Sequence, residues 1–490
     1  MRETESDLEA VVETLHGVRV SDPFRWLEDA EAPATRAWTN EQDHRARAML
    51  GSFPGRDAIR RRLEESLGGG ALGRSVPRGA RRFFTRREPG RDQAAVWVAE
   101  GGSERVLVDP GQGTTALDWW YVSHDGSLLC YGLSQDGSED STLHLLQVEG
   151  GRVLPDRIPH CKLAAVAFEP DLEAVLYTRY PEPDAAAPER AQYDRRVWRH
   201  RIGDEAADDV EIFGEGLEQT AYPEMLSVSR SGRWTVVVVA HGWQRTSVHV
   251  RQEDGPFTAV FDGPENLVEA WFAGDRLLAL TNLDAPRFRL VEIDPADPAP
   301  ERWTTLVPED AATLVGAAVH RDGLVVQHLR DVSSVITLCA PDGTPRREVP
   351  LPPHSTVTGL GADPDTEGAF LTVESFALPP RTISLGGEVV DALALPPGFD
   401  PDRYPVRQVW YRSADGTRVP MFLVGRTEGA GTAWLTGYGG FNVPRVPAWS
   451  PTVVPFLEAG GLFCVANLRG GGEFGEAWHR AGMLDQKQHV

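Results

Sequence analysis

At 490 residues the chain is too long for one ordinary hydrophobic core, so two or three domains, or a large repeat domain with a partner, are expected. With 41% hydrophobic and 25% charged residues it is globular rather than disordered, and 49 glycines with 37 prolines point to many turns and an all-β component. A formal charge of −23 argues against non-specific binding to nucleic acid or to an anionic membrane, because like charges repel at long range.

Met1 to Leu15 is acidic and lacks the apolar core of a leader, and no apolar run approaches the roughly 18 residues of a membrane span, so a cytoplasmic location is expected. Residues 1–70 form the first expected unit, a helical segment: after Asp29 helix formers dominate, with Trp38, Met49, Ile59 and Leu63 as apolar positions. Gly68 to Gly70 end that pattern. The arginines between Arg56 and Arg91 are interleaved with acids and read as a salt-bridged or solvated face. Four cysteines, Cys130, Cys161, Cys339 and Cys464, lie far apart, as buried thiols do in a reducing compartment; neither metal nor cofactor is signalled.

From 71 to 395 one unit recurs: an apolar approach, a tight polar turn, then a β-branched or aromatic run. Copies start at Val76, Val122, Phe168, Val228, Trp271, Val319 and Leu360, as in VSHDGSLLCYGLS and VSRSGRWTVVVVA. A four-stranded propeller blade takes about 40 to 50 residues, so seven copies predict a seven-bladed β-propeller; unrelated hairpins in a two-sheet sandwich are the alternative. One interval is longer, and the Pro- and Ala-rich insertion Pro181 to Arg190 with the acidic stretch Asp204 to Asp209 accounts for it as surface loops.

Past Pro396 and Pro397 the texture changes. Val406 to Trp410, Met421 to Val424, Ala433 to Thr436 and Leu462 to Leu468 are candidate strands, the last two apolar enough to be buried on both faces. The third unit, 396–490, reads as the opening of an α/β sheet. It carries two glycine-rich stretches, GYGGFN (Gly437 to Asn442) and NLRGGGEFGEAWH (Asn467 to His479), whose glycines allow a ligand or a second backbone to approach closely. No Gly-Lys-Ser/Thr follows them, which removes a phosphate-cradling reading.

With DPFRWLED (Asp22 to Asp29) near the start, these motifs flanking a seven-fold repeat resemble the prolyl oligopeptidase family of serine peptidases. The resemblance implies a mainly β chain: a seven-bladed β-propeller, an N-terminal helical segment that packs on the peptidase domain, and the incomplete start of an α/β-hydrolase domain. It implies a monomeric endopeptidase for short peptides, acting after proline through an acyl-enzyme. Tyr438 matches the family's oxyanion donor, a buried structural tyrosine being the alternative, and Phe441 matches an aromatic of the substrate pocket, or else a core residue. Arg469 and Glu473 match a loop-bracing pair. Leu176 and Trp243 fall near pocket positions of the propeller, where Trp243 departs from the family's residue type.

A hydrolase nucleophile sits on a G-x-S-x-G elbow, followed in the chain by its Asp and His. No such elbow occurs in these 490 residues, so the triad is expected beyond residue 490 and the chain alone is expected to be inactive. His479 and His489 are poor candidates for the general base. Rival readings are a non-catalytic propeller that binds a peptide or protein, and an oligopeptidase B-type or acylaminoacyl peptidase.

Overall fold

The computed structural model describes residues 10–182, 190–263, 265–429 and 431–490. Most of the Pro181 to Arg190 insertion, and the chain before Ala10, therefore lie outside the described residues. Two compact units are resolved, Met1–Glu64 and Glu65–Val490.

In the first unit, Pro33–Gly51 and the start of Arg56–Leu67 are helices. What the helix-rich reading of residues 1–70 missed is a hairpin, Val11–Leu15 paired with Val18–Asp22. Its turn residues His16 and Gly17 both have positive φ (51° and 81°), the geometry that matches hairpin twist.

In the second unit, residues 71–392 form seven successive four-stranded antiparallel sheets, spanning 71–108, 116–158, 166–213, 222–262, 268–307, 313–349 and 356–392. The strands of each run in chain order. Every copy of the sequence unit is the hairpin joining the first and second strands of one sheet, which is why its texture repeats: the second strand is sandwiched and needs a continuous apolar run. Val236 to Val239, for example, are fully buried.

Apolar clusters join each sheet to the next. Phe83, Val96 and Val98 of the first meet Leu129, Tyr131 and Leu146 of the second, and equivalent clusters follow up to the sixth and seventh. At about 25 cal/mol per Å², each such buried side chain contributes roughly 1.5–3 kcal/mol. The seventh sheet also packs on the first, through contacts of a different kind. Gly361 lies so close to the Ser75 carbonyl that an added Cβ would fall 1.8 Å from its oxygen. Asp363 accepts from the Gly79 amide (2.8 Å), Arg86 reaches Asp391 (3.4 Å), and Arg82 lies 5.8 Å from the centroid of the Phe370 ring. Other arginines of the Arg56 to Arg91 stretch form ion pairs, among them Arg81 with Glu100 and Arg91 with Asp109.

The last sheet comprises Val406–Arg412, Arg418–Val424, Leu462–Ala466 and Ala433–Gly437 in that spatial order, the final pair parallel and the others antiparallel. Leu462–Ala466 is central and buried. Ala433–Gly437, expected to be buried on both faces, is instead an exposed edge with Leu435 65% accessible, because no described strand lies beyond it. One core holds this sheet on the propeller: Phe422, Phe463, Val453 and Leu457 pack with Val332, Phe376 and Ala377 from loops of the sixth and seventh sheets. Among the described residues no helix is long and apolar enough to cross a membrane, and the four cysteines are buried free thiols.

The acidic stretch Asp204 to Asp209 is not wholly a surface loop. The Asp209 side chain turns inward, accepting from the Tyr177 hydroxyl (2.6 Å) and bonding His200 Nδ1 (2.6 Å), while His200 Nε2 meets Asp156 (2.9 Å) of the second sheet. Burial lowers the imidazole's pKa, but the two carboxylates more than offset this and the net shift is upward. A raised histidine pKa contributes stability that is full below the unfolded value, about 6.5, and is lost as pH rises through the folded value. Urea unfolding at pH 6 should therefore show His200→Gln destabilised by on the order of 3 kcal/mol, with a smaller deficit at pH 9. An equal deficit at both would rule out a charged His200.

Candidate active site

The two glycine motifs are built against each other. GYGGFN follows the edge strand Ala433–Gly437, and the RGGGE loop follows its parallel neighbour Leu462–Ala466, so both leave the sheet at the same end. There the backbones touch: the Asn442 amide donates to the Gly470 carbonyl (3.0 Å). A Cβ on Gly470 would lie 2.4 Å from the Gly439 oxygen, and one on Gly472 would lie 2.6 Å from the Asn442 oxygen. Of the two partners glycine permits, ligand or backbone, the structure shows backbone.

This contact presents an aromatic group at the surface. Tyr438 is half-exposed and its hydroxyl makes no hydrogen bond among the described residues, unlike a structural core tyrosine. Phe441, at φ 56°, is also exposed rather than part of a core. Its ring lies 6.4 Å from that of Tyr438 and 5.5 Å, edge-on, from that of Trp243 in the fourth sheet. The Trp243 loop is tied to the same region by Gln244 Nε2, 3.0 Å from Met483 Sδ. Trp243 thus joins the group, although sequence reasoning did not commit to it; its signal was an aromatic in a polar turn, HGWQ. Leu176 is fully buried inside the third sheet.

Arg469 and Glu473 do not pair with each other. Arg469 is 5% exposed and turns to the hairpin at 413–417, where it bonds Asp415, Thr417 (3.2 Å) and Ser413 (3.3 Å). Those bonds hold the Asp415 carboxyl well below the usual carboxylate range. Glu473 lies on the other side of the glycine turn, with Oε1 accepting from the Arg445 amide (2.9 Å) and Oε2 without a partner among the described residues. Burial pushes its pKa up despite that donor. His479 is buried against Glu476 (3.4 Å), away from any exposed reacting position.

Residues 4–386 match the family model for the prolyl oligopeptidase N-terminal β-propeller domain. The chain belongs to the prolyl oligopeptidase family of serine peptidases. A prolyl endopeptidase of Elizabethkingia miricola is 27% identical over 498 residues, covering 98% of this chain and 70% of that protein. A solved structure from a study of two prolyl endopeptidases, concerned with inter-domain dynamics in catalysis and specificity, superposes with a TM-score of 0.90 at 33% identity, covering 99% of this chain and 74% of that one. Prolyl oligopeptidase B of Galerina marginata, bound to a 35-residue substrate, shares the fold at TM-score 0.88 and 21% identity, covering 100% of this chain and 75% of that one.

Family membership accounts for the propeller, but the glycine loops answer to local physics. A carboxyl whose folded pKa exceeds its unfolded value costs stability once pH rises past about 4.3. Glu473→Gln should accordingly leave the melting temperature unchanged near pH 4 and raise it by roughly 2 °C at pH 8. Gly471→Ala, whose Cβ would fall 2.2 Å from Glu473 Oε2, should lower it at both. A pH-independent effect of Glu473→Gln would remove the buried titration from the account.

Proposed function

We propose that this chain is the substrate-handling part of a serine endopeptidase that cleaves short peptides on the carboxyl side of proline through an acyl-enzyme. The observation that carries the reading is the free Tyr438 hydroxyl beside the exposed Phe441 and Trp243 rings. A phenol on a loop braced backbone to backbone is a preorganised donor, able to strengthen its bond as negative charge develops on a carbonyl oxygen. The adjacent rings offer apolar surface of the kind a proline ring packs on, and the names of the relatives support that preference.

In this reading 1–70 is a brace, 71–395 a seven-bladed propeller acting as a filter, and 396–490 the first part of the hydrolase domain. The contacts of Arg82 with Phe370 and of Arg86 with Asp391, between the first and seventh sheets, support a closed ring. Arg469 and Glu473 are structural: each anchors one side of the glycine turn. The protein is taken to be a cytoplasmic monomer with no cofactor. Because it has no G-x-S-x-G, the chain by itself has nothing to form an acyl-enzyme.

Incubated with a chromogenic proline peptide, the purified chain should give no turnover above a mock preparation; turnover that co-purifies with it would overturn that part of the reading. In an enzyme carrying this chain together with a nucleophile elbow, Tyr438→Phe should lower kcat by on the order of a hundredfold, about 3 kcal/mol, while KM moves much less. Unchanged kcat in a destabilised variant would take Tyr438 out of the site.

A further inference from the structure

The first strands of the seven sheets run from the end that meets the glycine loops to the opposite end. Thr313, which opens its strand, donates to the Glu473 carbonyl (3.2 Å), and the eight residues to His320 span about 25 Å. At that far end the seven first strands converge on a cavity of about 340 Å³, within the range of small-ligand sites.

Its walls mix polar and apolar surface, with Val166, Leu226, Trp271 and Val319 contributed by four different sheets. Arg78 lies among them. Its Nη1 donates to the neighbouring Pro77 carbonyl (2.8 Å), and its buried Nε has no partner among the described residues. No carboxylate is within ion-pairing distance of it there. Asp363, the acid on the cavity wall, is occupied by the amides of Gly79 (2.8 Å) and Asp365 (3.0 Å). Arg230 also lines the cavity but is paired with Asp365 at the rim. His124 makes no hydrogen bond among the described residues, and burial with the nearby Arg230 and Arg78 pushes its pKa down, against the opposing pull of Asp125. Burial is the larger cause, and the two arginines add to it in a chain whose formal charge is −23.

A partly buried guanidinium with unused donors favours an anion. The apolar residues among its neighbours suit a carboxylate that carries an apolar group. We propose that the far mouth of the propeller channel is a second peptide site, which takes the free carboxyl end of a short peptide with an apolar last side chain, Arg78 holding the carboxylate. The site lies at the other end of the first strands from Tyr438, so it is independent of the catalytic reading.

Calorimetric titration of the 490-residue chain with N-acetyl-Ala-Leu and with the C-terminal amide of the same dipeptide tests it. The acid should bind at least tenfold more tightly than the amide. Arg78→Met should abolish the difference, Arg78→Lys should keep part of it, and Ala317→Phe, which fills the cavity from the sixth sheet without touching Arg78's bonds, should weaken the acid at least tenfold. Equal binding of acid and amide, no binding of the acid, or a preference that survives Arg78→Met would overturn the proposal. So would inorganic phosphate competing at the same affinity as the acid, since that marks a bare anion site. If Arg78→Met loses its native circular dichroism, Ala317→Phe decides: undiminished binding of the acid places it elsewhere and sinks the assignment.

Discussion

Where the Gly470 and Gly439 backbones meet, the approach is closer than any Cβ would permit, and the candidate active site follows from that contact. The two loops touch through main chain, Lys487 Nζ also donates to the Gly439 carbonyl (2.5 Å), and the Tyr438 and Phe441 rings are left facing outward. The cost appears at Phe441 and Asn442, both at positive φ (56° and 57°). Asparagine tolerates that region, whereas phenylalanine pays about 1–2 kcal/mol. Edge-on packing of Phe441 on Trp243, about 0.5–1.5 kcal/mol for an aromatic pair, offsets part of the strain. The propeller therefore helps to fix the conformation of the GYGGFN loop, and Trp243 does so from about 200 residues away in the chain.

The RGGGE loop shows why a motif does not reveal its own pairing. An arginine four residues from a glutamate invites a salt bridge, yet a turn of three glycines sends the two side chains to opposite sides. Arg469 finds Asp415, which stands in a hairpin turn with solvent at its back and so is cheaply kept charged. Glu473 accepts from a backbone amide and has no cationic partner there among the described residues, so burial leaves its pKa raised. Two modest local solutions replace one buried ion pair, whose desolvation would have consumed much of its Coulombic gain.

Sequence reasoning succeeded where one residue's role depends on its neighbours in the chain. The seven hairpins were legible because turn chemistry and a buried second strand recur together, and the strands after 396 because each is a short apolar run. The hairpin at Val11–Leu15 and Val18–Asp22 was overlooked although VVETLHGVRV carries a turn at His16 and Gly17, because the stronger helical signal after Asp29 coloured the whole segment. The exposure of Ala433–Gly437 was not legible at all, since an apolar strand does not say how many neighbours it has. Nor were Trp243's contact with Phe441 and the isolation of Arg78, which depend on how distant segments come together.

The same dependence explains the charges inside the propeller. The first strands line the channel, so the few residues that each copy places there decide what the channel contains. Glu224 and Glu269, on the first strands of the fourth and fifth sheets, are such residues. Burial and the facing Glu269 raise the Glu224 pKa to about 7, with Arg195 opposing. Solvent reaches Glu269, yet protein surrounds it closely enough to raise its pKa too. On an outer strand these carboxyls would be ordinary solvated charges. Placed around a narrow space they have protein close on several sides, and the Glu269 charge reaches Glu224. The repeat thus sets the positions of the channel groups from sequence alone, while their protonation comes from convergence, a property of the seven strands together and of no one copy.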